Sequence, residues 1–97
     1  MTYRLDHIAL LVRDLEESVD FLTRVIGLYE TPNPMGGTAI RWIEIGDGRR
    51  FHVQQGDISR VHVEKQTHFA LSTEAFDEVL ARFRRDGVAF SDMKGTP

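Results

Sequence analysis

The sequence has 97 residues, 41% of them hydrophobic and 28% charged, with a formal charge of -3 and no cysteine. That balance fits one soluble globular domain, excludes disulfide and thiolate chemistry, and argues against the basic footprint of a nucleic-acid binder. No run approaches the roughly 18 apolar residues needed to span a bilayer and the start carries no apolar signal segment, so a cytoplasmic protein is expected, with neither nucleic acid nor membrane as partner.

The first predicted strand is 4–12, in which Leu5, Ala9 and Leu11 share a face with His7 while Ile8, Leu10 and Val12 point the other way. Apolar residues on both faces predict a central strand, covered by helices on one side and by an enclosed space on the other. Asp14, with Glu17 three residues on, is a helix N-cap signal, and Leu15, Val19, Leu22, Val25 and Ile26 carry the helical period until Gly27 stops it. A helix is predicted over 15–26, then a short strand over 28–31. The stretch from Pro32 to Gly37 is a loop by composition, and two strands follow, 38–45 and 50–55, joined through Gly46-Asp47-Gly48 as a hairpin. A polar connector leads to a strand over 66–72, a helix over 74–86 with Phe76, Val79, Leu80 and Phe83 as its buried stripe, and a strand beginning at 88–90.

The two halves repeat. Leu5-Asp6-His7-Ile8-Ala9-Leu10 aligns with Gln66-Thr67-His68-Phe69-Ala70-Leu71, and the match continues through Leu15/Phe76, Glu17/Glu78, Val19/Leu80, Leu22/Phe83 and Arg24/Arg85 before Gly27 pairs with Gly87. The implied class is α+β: paired βαβββ modules forming a curved mixed sheet with helices outside. Residues 1–55 form the first module, 56–65 the connector and 66–97 an incomplete second module. Roughly 20 to 30 further residues would supply its final two strands, so a truncated second module is expected.

The repeat gives its histidines weight. A lone strand histidine is usually a half-buried residue with a hydrogen-bond partner, but His7 and His68 hold equivalent positions, and two neighbouring imidazoles are well accommodated by a shared cation. His52 is a third candidate ligand, since Arg50, His52 and Gln54 share a strand face. His62, in the connector, reads as solvated. Trp42 and Gln54 are candidate substrate contacts, Trp42 against the plainer reading of a core or interface aromatic. Arg82, Arg84 and Arg85 read as a solvent-facing helix surface. Gly36-Gly37 lacks the residues of a phosphate loop, and neither Ser18 nor Ser72 has a local sign of a nucleophile triad.

Residues 5–12 with Asp14-Leu15-Glu16, Phe21-Leu22 and Ile26-Gly27-Leu28 resemble the first module of the vicinal oxygen chelate superfamily, and Thr67-His68-Phe69-Ala70-Leu71 resembles the start of its second. That superfamily includes glyoxalase I, fosfomycin-resistance proteins, methylmalonyl-CoA epimerase, extradiol dioxygenases and bleomycin-resistance proteins. By position, the resemblance implies that His7 and His68 are first-strand metal ligands. His52 falls where glyoxalase I typically has Glu and the epimerases often have Gln, and the family's last ligand, a Glu on the final strand, is not among these residues. The implied cofactor is a divalent metal ion: Fe, Mn, Zn and Ni all suit such donors. The implied function is a metal-dependent enzyme of glyoxalase or dioxygenase type, acting on a small oxygenated metabolite or electrophile by lyase, isomerase, thiol-transfer or ring-cleavage chemistry. The alternatives are a non-catalytic sequestering protein of bleomycin-resistance type and a fragment without activity of its own. Pairing of modules between chains implies a homodimer.

Overall fold

A computed structural model describes residues 1–92 as two compact units, divided between His62 and Val63. The first unit is a βαβββ arrangement. Its elements are β1 (His7–Val12), α1 (Leu15–Asp20), which runs on as a π-helical turn (Phe21–Val25), β2 (Tyr29–Thr31), β3 (Ile40–Gly46) and β4 (Arg49–Gln55). The sheet order is β1-β4-β3-β2, with β1 parallel to β4 and the other two pairs antiparallel.

Local chemistry accounts for the boundaries. The extended backbone of Asp14 lets its Oδ1 accept the Glu17 backbone N–H at 3.0 Å, satisfying a donor that the first turn of α1 leaves open. The π turn closes with the Ile26 N–H on the Phe21 carbonyl, five residues back, and Gly27 at φ 92° ends the helix. Between β3 and β4, Asp47 and Gly48 both take positive φ, as a two-residue primed hairpin turn requires.

Alternation then sorts the residues. Ile43, Phe51 and Val53 are fully buried beneath Val19, with Ile8, Leu10, Val12, Leu15 and Leu22 packed around them. These occupy the helix-covered face of the sheet, and their parity leaves His7, Ala9, Leu11, Arg50, His52, Gln54, Trp42 and Glu44 on the other. Arg41, on the helix side of β3, is held by both oxygens of Glu30 and by Glu16 of α1, tying helix to sheet. That double pairing lowers the Glu30 pKa and raises that of Arg41.

Two sequence expectations are corrected in this unit. The first strand starts at His7, leaving Leu5 exposed, and it lies at an edge of the sheet. Apolar residues on both faces therefore did not mean a central position: Ala9 and Leu11 face outward on the side without helices. The central strand next to β1 is β4, whose Phe51 and Val53 are buried.

The second unit, Val63–Pro97, contains α2 (Phe76–Asp86) and no strand among the described residues. Gly87, at φ 68°, caps α2, and the Val88 N–H bonds back to the Phe83 carbonyl. Val79, Leu80 and Phe83 are half-buried, but Phe76 is 61% exposed, so the predicted stripe loses its first member. The predicted strands over 66–72 and 88–90 are irregular instead. A helix closes its hydrogen bonds within its own segment, whereas a strand needs a neighbour. In the first unit β4 is that neighbour for β1; among the described residues of the second unit no strand offers itself to 66–72.

Candidate functional site

The uncovered face of the first sheet gathers three of the predicted site residues. Trp42 and His52 face one another across β3 and β4, and His7 stands one rung diagonally away on β1. Their rings form a continuous stack: His7 on His52 with centroids 4.1 Å apart and planes 10° from parallel, and His52 on Trp42 at 4.5 Å and 6°. The Arg50 guanidinium lies over the Trp42 ring at 4.8 Å. Gln54 is on the same face, exposed, with Leu11 and Ile40 as its strand partners.

The hydrogen bonds of the histidines fix what each ring can offer. His7 Nδ1 is 2.9 Å from Asp6 Oδ2, and this bond lowers the Asp6 pKa. An ionised carboxylate only accepts, so Nδ1 carries the proton and a neutral ring leaves the Nε2 lone pair available. His68, exposed in the second unit, repeats the arrangement with another acceptor: its Nδ1 is 3.0 Å from the Lys65 carbonyl oxygen, which also only accepts. The two repeat-related imidazoles thus share one tautomer and the same free nitrogen. His52 differs: its Nε2 is buried with no hydrogen-bond partner, and its pKa is lowered by burial and by the nearby His7 and Arg50. A buried imidazole nitrogen without a partner costs about 1–3 kcal/mol.

These donors fit a borderline divalent cation, since neutral imidazole is a common ligand for such ions. Their geometry sets a limit. Metal–nitrogen bonds of about 2.0–2.1 Å lie in the imidazole plane, and the planes of two stacked rings only 10° from parallel meet far beyond that distance. His7 and His52 cannot ligate one ion while stacked. Among the described residues no group of three His, Cys, Asp or Glu side chains is placed to hold a metal.

Beside the stack, a cavity of about 440 Å³ opens at the β2–β3 end, lined in part by Trp42, Ile40, Thr31, Asn33 and Arg41. His62 is exposed at the end of the first unit. Sequence reasoning did not single out Asp6 or the Lys65 carbonyl. The signal for Asp6 was its place beside a strand histidine; nothing in the residue types marks a backbone carbonyl.

Comparison with known proteins agrees with this architecture. No curated protein matches the chain. Among solved structures it is similar to the oxidase ChaP-H2 (27% identity, TM-score 0.63, covering 90% of this chain and 65% of that one). It is also similar to a possible glyoxalase from Bacillus cereus (25%, 0.64, covering 89% and 76%). The fosfomycin resistance protein FosX from Listeria monocytogenes, in an E126Q form complexed with Mn(II) and 1S,2S-dihydroxypropylphosphonic acid, shares the fold at 23% identity and TM-score 0.71, covering 95% and 73%. The chain thus spans about two thirds to three quarters of the length of these structures. The family model for the Glyoxalase/Bleomycin resistance protein/Dioxygenase superfamily matches residues 4–96, and the chain belongs to that superfamily.

Proposed function

We propose that the protein is a metal-dependent enzyme of glyoxalase or dioxygenase type that works on a small oxygenated molecule, as a homodimer in the cytoplasm. The observation that carries this reading is the shared tautomer of the repeat-related histidines, each with Nδ1 bound to an oxygen and Nε2 left to donate. His7 and His68 would hold the ion through Nε2, with His52 as a third donor once its ring leaves the stack. Fe, Mn, Zn and Ni each suit imidazole donors. When bound, such a cation supplies Lewis-acid polarisation of two adjacent substrate oxygens.

The remaining roles belong to the chain itself. Asp6 orients the His7 ring and keeps its proton on Nδ1; the Lys65 carbonyl does the same for His68. Trp42 offers a flat apolar wall beside the imidazoles, and Gln54 an amide on the same face, so both are assigned as substrate contacts. Metal analysis of protein purified without chelator tests the proposal: about one divalent ion per chain is expected, lost when His7→Ala and His68→Ala are combined. Unaltered metal content in that double substitution would contradict the assignment. Capture of small molecules that is indifferent to metal would point to sequestration.

A further inference from the structure

An Asp-Gly step is chemically weak, because glycine has no side chain to shield its nitrogen from the neighbouring carboxyl group. The chain has two, Asp47-Gly48 and Asp86-Gly87, and the fold restrains them differently. At the second, both reacting groups are held. The Gly87 N–H turns back to the Arg84 and Phe83 carbonyls of α2, and the Asp86 carboxylate accepts from Arg85 at 2.9 Å. At the first, the Asp47 carboxylate makes no hydrogen bond among the described residues. Asp47 and Gly48 are exposed at the tip of the β3–β4 hairpin, and Asp47, at φ 54°, is the one described residue other than glycine with a positive φ.

What restrains this step is Glu44. Its Oε2 accepts the Gly48 N–H at 3.0 Å, and its Oε1 faces Arg50 Nε at 3.8 Å. The Gly48 nitrogen can attack only by giving up the proton that Glu44 holds. A carboxylate at that distance also opposes the negative charge that the nitrogen must develop, and with 25% of its side chain exposed Glu44 is only partly screened by water.

We propose that Asp47 is a site of backbone isomerisation in the folded protein, and that Glu44 sets its rate. The Gly48 nitrogen bonds to Asp47 Cγ as the Cγ–OH bond of the protonated carboxyl breaks, and the nitrogen's proton leaves with that hydroxyl as water. A second water then opens the cyclic imide. Addition at Cγ restores aspartate; addition at the Asp47 backbone carbonyl leaves Gly48 joined through Cγ, as isoaspartate of unchanged mass. The new linkage puts one more carbon into a turn that has two residues to spend, at the end of the hairpin that sets Trp42 opposite His52. Modification at the tip thus disturbs the candidate site without touching it.

Incubation of the folded chain at neutral pH, followed by enzymatic labelling of isoaspartate and peptide mapping, tests both parts. In the wild type, isoaspartate should accumulate at Asp47 and stay at background at Asp86; equal amounts at the two steps overturn the site assignment. Glu44→Ala should speed the reaction at Asp47 at least about tenfold, the factor that one hydrogen bond to a charged group sets. Glu44→Gln should fall between, because its amide oxygen still accepts the N–H but carries no charge. Asp86 should be unaffected in both. Hydrogen exchange of the β4 amides on the same samples shows whether the hairpin is still folded, and if Glu44→Ala has lost that protection the Gln variant decides. A rate at Asp47 equal to that of the wild type in a folded Glu44 variant overturns the role of Glu44.

Discussion

The two units carry related sequences and reach different structures. Met1–His62 builds four strands over a buried cluster of Val19, Ile43, Phe51 and Val53; Val63–Pro97, within the described residues, builds one capped helix in which nothing is fully buried. The histidine motif is a strand residue in the first unit and an irregular one in the second. The contrast separates local from non-local information. A helix with a glycine stop is specified within a dozen residues, while the same apolar alternation becomes a strand only beside a partner that takes its backbone hydrogen bonds.

The largest effect that could break this comparison is in the core. Phe51→Ala should cost about 3–5 kcal/mol, since the ring is fully buried and its neighbours cannot collapse into the space. Phe76→Ala, at the exposed start of α2, should stay within about 0.5 kcal/mol. Denaturant unfolding of both variants checks the pair, and equal losses would mean that the second unit has a core of its own. Hydrogen exchange sharpens the same point: amides of β4 should exchange at least about a hundredfold more slowly than those of 66–72, where no ladder forms.

Smaller effects probe the ties within the first unit. Arg41→Met should cost about 1 kcal/mol, because its pairing with Glu30 is bidentate but near the surface. Glu30 has a lowered pKa, so its contribution is present above the unfolded value of 4.5 and is lost as pH falls through the folded one. His52 gives the weakest signal. Its pKa also lies below the ordinary 6.5, so the unfolded chain binds the proton first, and stability should decline as pH drops from 6.5 toward the folded value. Thermal melts across that range should show this decline in the wild type and lose the His52 part of it in His52→Phe.

Much of the first unit was legible in the sequence. The Asp14 cap, the stop at Gly27 and the turn through Asp47-Gly48 are local rules, and the structure follows each. Alternation also placed His52 and Gln54 on one strand face, and the register brings His7 to that face. The edge position of β1 was not legible, because strand order depends on which segment pairs with which. The π turn escaped for a related reason: the 3.6-residue period of α1 continues to Ile26 whether the last turn is wide or narrow. In the site, residue types named the histidines, but only the structure shows that His7 and His52 stack, or that the Arg50 guanidinium rests on Trp42.

Nitrogen-detected NMR of the histidine rings during a Zn(II) titration is the most direct test of whether the repeat built a metal site. His7 and His68 should begin as the tautomer protonated at Nδ1, and their Nε2 signals should move together, complete at about one equivalent per chain. If either ring starts as the other tautomer, or the two respond independently, the histidines do not share an ion.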